Sequence, residues 1–337
     1  MDIPVLDLEL AEDPSPGTLR AWTDAAAGYG VFQLVNHGIP ESARTACADA
    51  ARWFHGREPA WKDRFGIALS GGNRGYVPAD FSPAAPGSDR VVRDYASMDF
   101  GIEARPEDRV RAILLGPNQW PEEPGFRAAV EAYHDAVRAC AVRVSRMFSR
   151  MCGLDRDHLA RRSADGCSLL RLLHYPQPSP SFDSVAGGHT DYEWFTLLWQ
   201  SAEGLGVYCR DGRTRLVPAE DGAITVLVGD LLEVLSGGRL ESTLHWVRPR
   251  TPDRYSLTYF HGPAFDEVVS PMPPTAADLY PSLHAGAHLT ALRVRHFAHL
   301  RAAVADGTLD LPFELPAVNP LKAAKSRRLA ASLEAAR

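Results

Sequence analysis

The residues best suited to chemistry are two histidines and an aspartate. In Gly187-Gly188-His189-Thr190-Asp191, His189 and Asp191 stand two apart, a spacing that puts side chains on one face of a strand within reach of one metal ion. His245, in the strand-like run Thr243-Leu244-His245-Trp246-Val247, offers a second imidazole. Two imidazoles and one carboxylate on one side of a metal leave adjacent positions open for a cosubstrate and dioxygen, the arrangement of non-haem iron(II) oxygenases. Zinc hydrolases also use three protein ligands, so the triad alone leaves the metal undecided.

A second constellation narrows the choice. Arg254 and Ser256, again two apart, follow His245 in another β-rich run. A guanidinium fork with a hydroxyl beside it can hold a carboxylate. A diacid that chelates the metal at one end needs such a clamp at the other. Taken alone, Arg254 would read as a surface ion pair; beside the triad it reads as half of a clamp.

The segments GGHTDY, GDLLEVLSGGRLESTLHWV and RYSLTYFHGP resemble the isopenicillin N synthase-like group of iron(II)/2-oxoglutarate-dependent oxygenases. IPVLDL, GVFQLVNHGIP and GPNQWP resemble the N-terminal region of the same group, so the likeness runs in order from about residue 3 to residue 300. It implies a double-stranded β-helix (jelly-roll) core with a helical N-terminal region and a flanking C-terminal helix. It also implies Fe(2+), with 2-oxoglutarate and O2 as cosubstrates. By the same resemblance His189, Asp191 and His245 hold the metal, and Arg254 and Ser256 hold the distal carboxylate of 2-oxoglutarate. Tyr175 falls where a tyrosine contacts the cosubstrate, and Arg171 shares its strand face.

The motifs GxHTDY, GGxLxSTxH and YFHxPxF most resemble those of bacterial ethylene-forming enzymes, in which an N-terminal acid and a C-terminal arginine hold an amino-acid substrate. Arg295 matches that arginine, and Asp80 is the positional candidate for the acid. Tyr192, Glu193, Trp194 and Phe260 complete the expected substrate wall. Two departures stand out: Glu193 occupies a position where the group usually has glycine, and Trp246 follows the second histidine where arginine is usual.

The expected activity is oxidation of an unactivated C–H bond in a small molecule, by hydroxylation, desaturation or ring closure; an amino acid or a natural-product intermediate would suit. The alternatives are an oxidase that binds its substrate's own carboxylate without 2-oxoglutarate, and a non-catalytic ligand-binding protein on the same fold.

Several elements must position these residues. Residues 3–8, 31–35, 169–175, 196–200, 205–209, 223–228, 243–247 and 255–260 read as strands, while 16–27, 40–54, 126–151 and 290–305 read as helices. Residues 66–90, rich in Gly, Pro, Ser and Asp, read as one long loop. The expected divisions are 1–120 (N-terminal dioxygenase region), 121–165 (supporting helix and linker), 166–306 (jelly-roll core and closing helix) and 307–337 (tail).

Composition bounds the rest. The 337 residues carry a formal net charge of -6, which gives no footprint for nucleic acid or an anionic membrane surface. No run of about 18 apolar residues suggests a membrane span. The acidic N-terminus does not resemble an export signal, so a cytoplasmic location is expected. Five scattered cysteines without a CxxC pair read as reduced thiols. Nothing sets an oligomeric state; a monomer is the expectation.

Overall fold

The computed structural model describes residues 2–79, 95–104, 107–178, 188–272, 277, 279–316 and 319–321. The strands of its two larger sheets are β1 (Val5–Asp7), β2 (Val31–Val35), β3 (Gly75–Val77), β4 (Ala96–Phe100), β5 (Leu169–Tyr175), β6 (Phe195–Gln200), β7 (Leu205–Tyr208), β8 (Thr214–Leu216), β9 (Ile224–Val228), β10 (His245–Val247) and β11 (Arg254–His261). The large sheet runs β1-β2-β9-β6-β11-β5-β4-β3, and a smaller one runs β10-β7-β8. The fold is the expected mix of helices around a jelly-roll core.

Alternation along the central strands sorts the chemistry from the packing. On β11, Tyr255, Leu257 and Tyr259 face the main apolar core together with Leu170 and Leu172 of β5 and Phe195 and Leu197 of β6. The residues in between point the other way: Arg254, Ser256, Thr258 and Phe260, with Arg171, Leu173 and Tyr175 on β5 and Thr196 and Leu198 on β6. The functional face therefore looks toward the small sheet, where Leu198, Leu205, Val207 and Leu227 form an inter-sheet core.

The helices are α1 (Pro16–Gly28), α2 (Glu41–His55), α3 (Pro59–Lys62), α4 (Arg109–Leu115), α5 (Phe126–Met151), α6 (His158–Arg162), α7 (Asp230–Leu235), α8 (Ala285–His296) and α9 (Ala298–Ala305). In α5, Val130, Tyr133, Val137, Cys140, Val144 and Phe148 recur at three- and four-residue spacing and are all buried, backing the large sheet. Each such side chain contributes about 1.5–3 kcal/mol of apolar burial, more than the exposed Arg127–Glu131 pair on the same helix. At the start of α1, Ser15 Oγ accepts from Thr18 N and Pro16 fills the first turn.

Three expectations are corrected here. Of the loop expected over 66–90, residues 66–79 hold a short 3-10 turn (Ile67–Leu69) and strand β3, while residues 80–90 lie outside the described residues. The helix expected over 290–305 is two helices, because Phe297 adopts φ -105° and ψ 122°. His189–Asp191 is not a strand; His189 makes one isolated antiparallel bridge to His245. Among the described residues, no helix is long and apolar enough to cross a membrane.

Candidate metal centre and its cavity

Backbone hydrogen bonds from three directions hold the Asp191 segment. His189 N donates to His245 O at 2.9 Å, and Trp194 N donates to His261 O at 2.9 Å. At the start of α7, Gly229 N donates to Trp194 O, Asp230 N to Asp191 O and Leu231 N to Glu193 O. Gly229 is required by closeness: a Cβ there would lie 2.2 Å from Glu193 O.

The triad closes on this frame. The Nε2 atoms of His189 and His245 each lie 3.7 Å from Asp191 Oδ1. One ligand atom from each of the three falls within 4.8 Å of the others. His245 Nδ1 lies 2.9 Å from Thr243 O, an acceptor only, so Nδ1 carries the proton and Nε2 presents its lone pair. Asp191 Oδ2 accepts from Thr196 Oγ1, leaving Oδ1 toward the histidines. The Asp191 and His245 side chains are 5% and 7% exposed while His189 is 56% exposed, so the centre opens on the His189 side.

On the same sheet face, Arg254 is fully buried. Its Nε donates to Ala202 O at 3.0 Å and its Nη2 to Gln200 Oε1 at 2.7 Å, while the buried Nη1 has no hydrogen-bond partner. The guanidinium carbon lies 4.7 Å from the centre of the Tyr175 ring. Burial pushes its pKa below the ordinary arginine value, with Tyr175 opposing the shift. Ser256 Oγ donates to Trp199 O at 2.8 Å and lies 3.2 Å from Thr258 Oγ1, so its proton is already committed. The donor set suits a divalent metal, and a buried cation with one free N–H edge suits the far carboxylate of a diacid chelating that metal. Iron(II) and 2-oxoglutarate fit these residues.

Residues 166–263 match the family model of the 2OG-Fe(II) oxygenase superfamily, and residues 3–123 match that described as non-haem dioxygenase in morphine synthesis N-terminal. A gibberellin 2-beta-dioxygenase from Phaseolus coccineus is 30% identical over 295 residues, covering 80% of each protein. This chain belongs to the 2OG-Fe(II) oxygenase superfamily. It is a non-haem Fe(II)/2-oxoglutarate-dependent dioxygenase using Fe(2+), 2-oxoglutarate and O2. The oxygenase is also 26% identical over 348 residues to a 2-oxoglutarate-dependent ethylene/succinate-forming enzyme from Ralstonia nicotianae, covering 94% of this chain and 96% of the other. The crystal structure of a 2OG-Fe(II) oxygenase family protein from Caulobacter crescentus superposes with a TM-score of 0.75 at 28% identity, over 87% of this chain and 98% of that one.

In the oxygenase, a cavity of about 440 Å³ joins the triad to the inter-sheet space and is lined by Arg171, Tyr175, Tyr192, Thr258 and Phe260 among others. Arg171 holds Asp99 bidentately, at 2.8 and 2.6 Å. Burial opposes the charge on Asp99, but Arg171, helped by Arg293 and Arg74, keeps the carboxyl below its usual pKa. A side recess of about 90 Å³ opens past His189 and is bounded by Tyr192, Glu193, Leu292, Arg293 and His296.

The substrate wall differs from expectation at two positions. Trp194 is 1% exposed and belongs to the main apolar core, because it leads directly into β6. Arg295 borders neither cavity: two residues along a helix from Arg293, it lies on another face, near His288. The cation in the recess is Arg293, whose Nη2 lies 3.8 Å from Glu193 Oε1. Glu193 is buried, which raises its pKa, and Arg293 opposes the rise. Asp80 lies outside the described residues. Arg293 and His296, three apart on α8, could have been found as a helix-face pair; Thr196 and Asp99 carried no local signal.

Proposed function

We propose that His189, Asp191 and His245 bind the ferrous ion and that Arg254, with Tyr175 beside it, receives the distal carboxylate of 2-oxoglutarate. The enzyme oxidises an unactivated C–H bond of a small molecule. The observation that carries the residue assignment is the buried, unpartnered Nη1 of Arg254 on the same sheet face as the triad's cavity. A buried guanidinium with one unpaired nitrogen and no carboxylate against it among the described residues is costly, and a bound carboxylate lowers that cost. Ser256 acts by lining the clamp and, once the ligand arrives, by reorienting its hydroxyl away from Trp199 O.

Bound iron supplies the redox chemistry that couples decarboxylation of 2-oxoglutarate, yielding succinate and carbon dioxide, to reduction of O2 and oxidation of the substrate. The protein orients the partners and limits side reactions. Thr243 and Thr196 fix the tautomer and the carboxylate edge that face the metal. Leu173, Leu198, Leu205 and Leu227 keep the inner end of the cavity apolar. The open His189 side is where the primary substrate approaches. The motif likeness and the match to the Ralstonia enzyme support placement within the isopenicillin N synthase-like group, near the ethylene-forming branch.

Anaerobic addition of iron(II) and then 2-oxoglutarate tests the assignment. A visible charge-transfer band should appear in the wild type, weaken in Arg254→Ala at the same 2-oxoglutarate concentration, and vanish in His245→Ala. A band of unchanged strength and 2-oxoglutarate dependence in Arg254→Ala would overturn the clamp.

A further inference from the structure

Two arginines on the functional face of the large sheet are withdrawn from water, and they are held in opposite ways. Arg171 carries its own counter-ion: its Nε and Nη2 donate to the two oxygens of Asp99, itself 1% exposed. Arg254 is more deeply buried, yet no carboxylate among the described residues lies within ion-pair distance of it. Its fixed donors go to neutral acceptors, Nε to the peptide oxygen of Ala202 and Nη2 to the side-chain oxygen of Gln200. Neutral partners satisfy N–H groups without cancelling the charge, which stays available to an incoming anion.

Gln200 is itself locked in the orientation this requires. It lies opposite Ser256 on β6, in phase with Thr196 and Leu198, and it is buried. Its Nε2 donates to Val217 O at 3.0 Å and to Pro218 O at 3.2 Å. Carbonyl oxygens only accept, so the NH2 end of the amide must face them and its oxygen must face Arg254. The carbonyl pair is tied down in turn, because buried Gln33 on β2 donates to Pro218 O at 3.0 Å. A relay thus runs from β2 through residues 217–218 and Gln200 to the guanidinium, and it leaves Nη1 as the nitrogen without a partner. A glutamate at this position would reach the same atom but would neutralise the cation and lose both donations.

We infer that Gln200 is a positioning residue for the cosubstrate: its neutral amide aims Arg254 at the distal carboxylate of 2-oxoglutarate and leaves the guanidinium's charge for that carboxylate. This rests on the clamp proposed above and adds the group that sets its direction and its charge. Gln200 acts through Arg254, so it matters only for ligands that carry a distal carboxylate.

Calorimetric titration of the iron(II)-loaded protein without oxygen reads binding and not turnover. The probes are 2-oxoglutarate and 2-oxovalerate, in which a methyl group replaces the distal carboxylate. Gln200→Met, an apolar change of similar size, should weaken 2-oxoglutarate about tenfold, as for a lost hydrogen bond to a charged group, and leave 2-oxovalerate unchanged. Gln200→Glu keeps an acceptor but brings a counter-ion, and it should weaken 2-oxoglutarate at least as much. In an Arg254→Ala background, Gln200→Met should have no further effect. If Gln200→Met does not fold by circular dichroism, Gln200→Glu carries both comparisons. Wild-type 2-oxoglutarate affinity in either variant, equal weakening of both probes, or a full effect retained without Arg254 overturns the inference. Where 2-oxovalerate binds the wild type too weakly to measure, the Arg254→Ala background decides alone. Arg254→Ala is titrated alongside: unchanged 2-oxoglutarate affinity there sinks the clamp itself. A loss in Arg254→Ala with none in the Gln200 variants sinks only the role of Gln200.

Discussion

His189 and His245 exchange both backbone hydrogen bonds, at 2.9 and 3.0 Å, and their rings stand 4.4 Å apart. Two proposed metal ligands that are 56 residues apart in the chain (245 − 189) are thus one bridged pair. His245→Ala should abolish iron binding and turnover, since two remaining ligands hold ferrous iron poorly. Iron content per chain is the measurement, and a wild-type value would end the triad assignment.

Arg254→Ala should raise the 2-oxoglutarate requirement, because losing a charge-assisted contact to a desolvated carboxylate costs about 2–5 kcal/mol. Arg254→Lys should recover part of this. The 2-oxoglutarate KM, measured by succinate release, separates the outcomes; equal values in all three proteins would count against the clamp.

Thr196 reaches the proposed metal centre through Asp191, whose Oδ2 accepts its hydroxyl proton. Removing its hydrogen bond in Thr196→Val frees Asp191 Oδ2 to rotate, and the loss of such an outer contact typically lowers metal affinity about 10–100-fold. Competition with a chelator of known affinity reads this directly, and Thr196→Ser should restore most of it.

Gly229→Ala places a methyl group 2.2 Å from Glu193 O. The α7 terminus must then retreat from the segment it holds, at a cost of about 1–3 kcal/mol. Denaturant unfolding should show that loss, with weaker iron retention in the folded protein.

Acid sensitivity should come from buried neutral histidines. Burial lowers the pKa of His55 to about 3, with His174 adding to the effect, and burial with Arg138 nearby does the same for His261. Unfolded histidines titrate near ~6.5. The unfolded state therefore takes up protons first, and stability is full above that pH and falls as the pH drops toward 3. Chemical denaturation at several pH values should show that slope, and His55→Gln should flatten it.

The strongly periodic elements were legible before any coordinates. The helix over 126–151 and the strand over 169–175 have the bounds expected, the helix because its apolar residues recur at three- and four-residue spacing, the strand because it is a short, mostly apolar run. Strand β4 was not legible: Ala96-Ser97-Met98-Asp99-Phe100 places a carboxylate in a buried strand, which makes sense only once Arg171 is known to sit opposite. The triad and the Arg254 face were readable from spacing, but for different reasons. Arg254 and Ser256 do share a strand face, whereas His189 and Asp191 converge through long-range backbone bonds that no local pattern encodes. Arg295 was named from the motif resemblance alone; which arginine of this helix borders the recess depends on helical phase, known only once the helix start at Ala285 is fixed.

The bonds that suspend the Asp191 segment run from peptide N–H to peptide C=O, at Asp191, Glu193 and Trp194. Such bonds do not depend on which side chain a residue carries. Tyr192 and Glu193 can therefore mutate in ways that reshape the recess while the loop stays moored to α7 and β11. Substitutions at those two positions therefore change the shape of the recess without loosening the backbone frame, whereas any side chain at Gly229 meets Glu193 O and disturbs it.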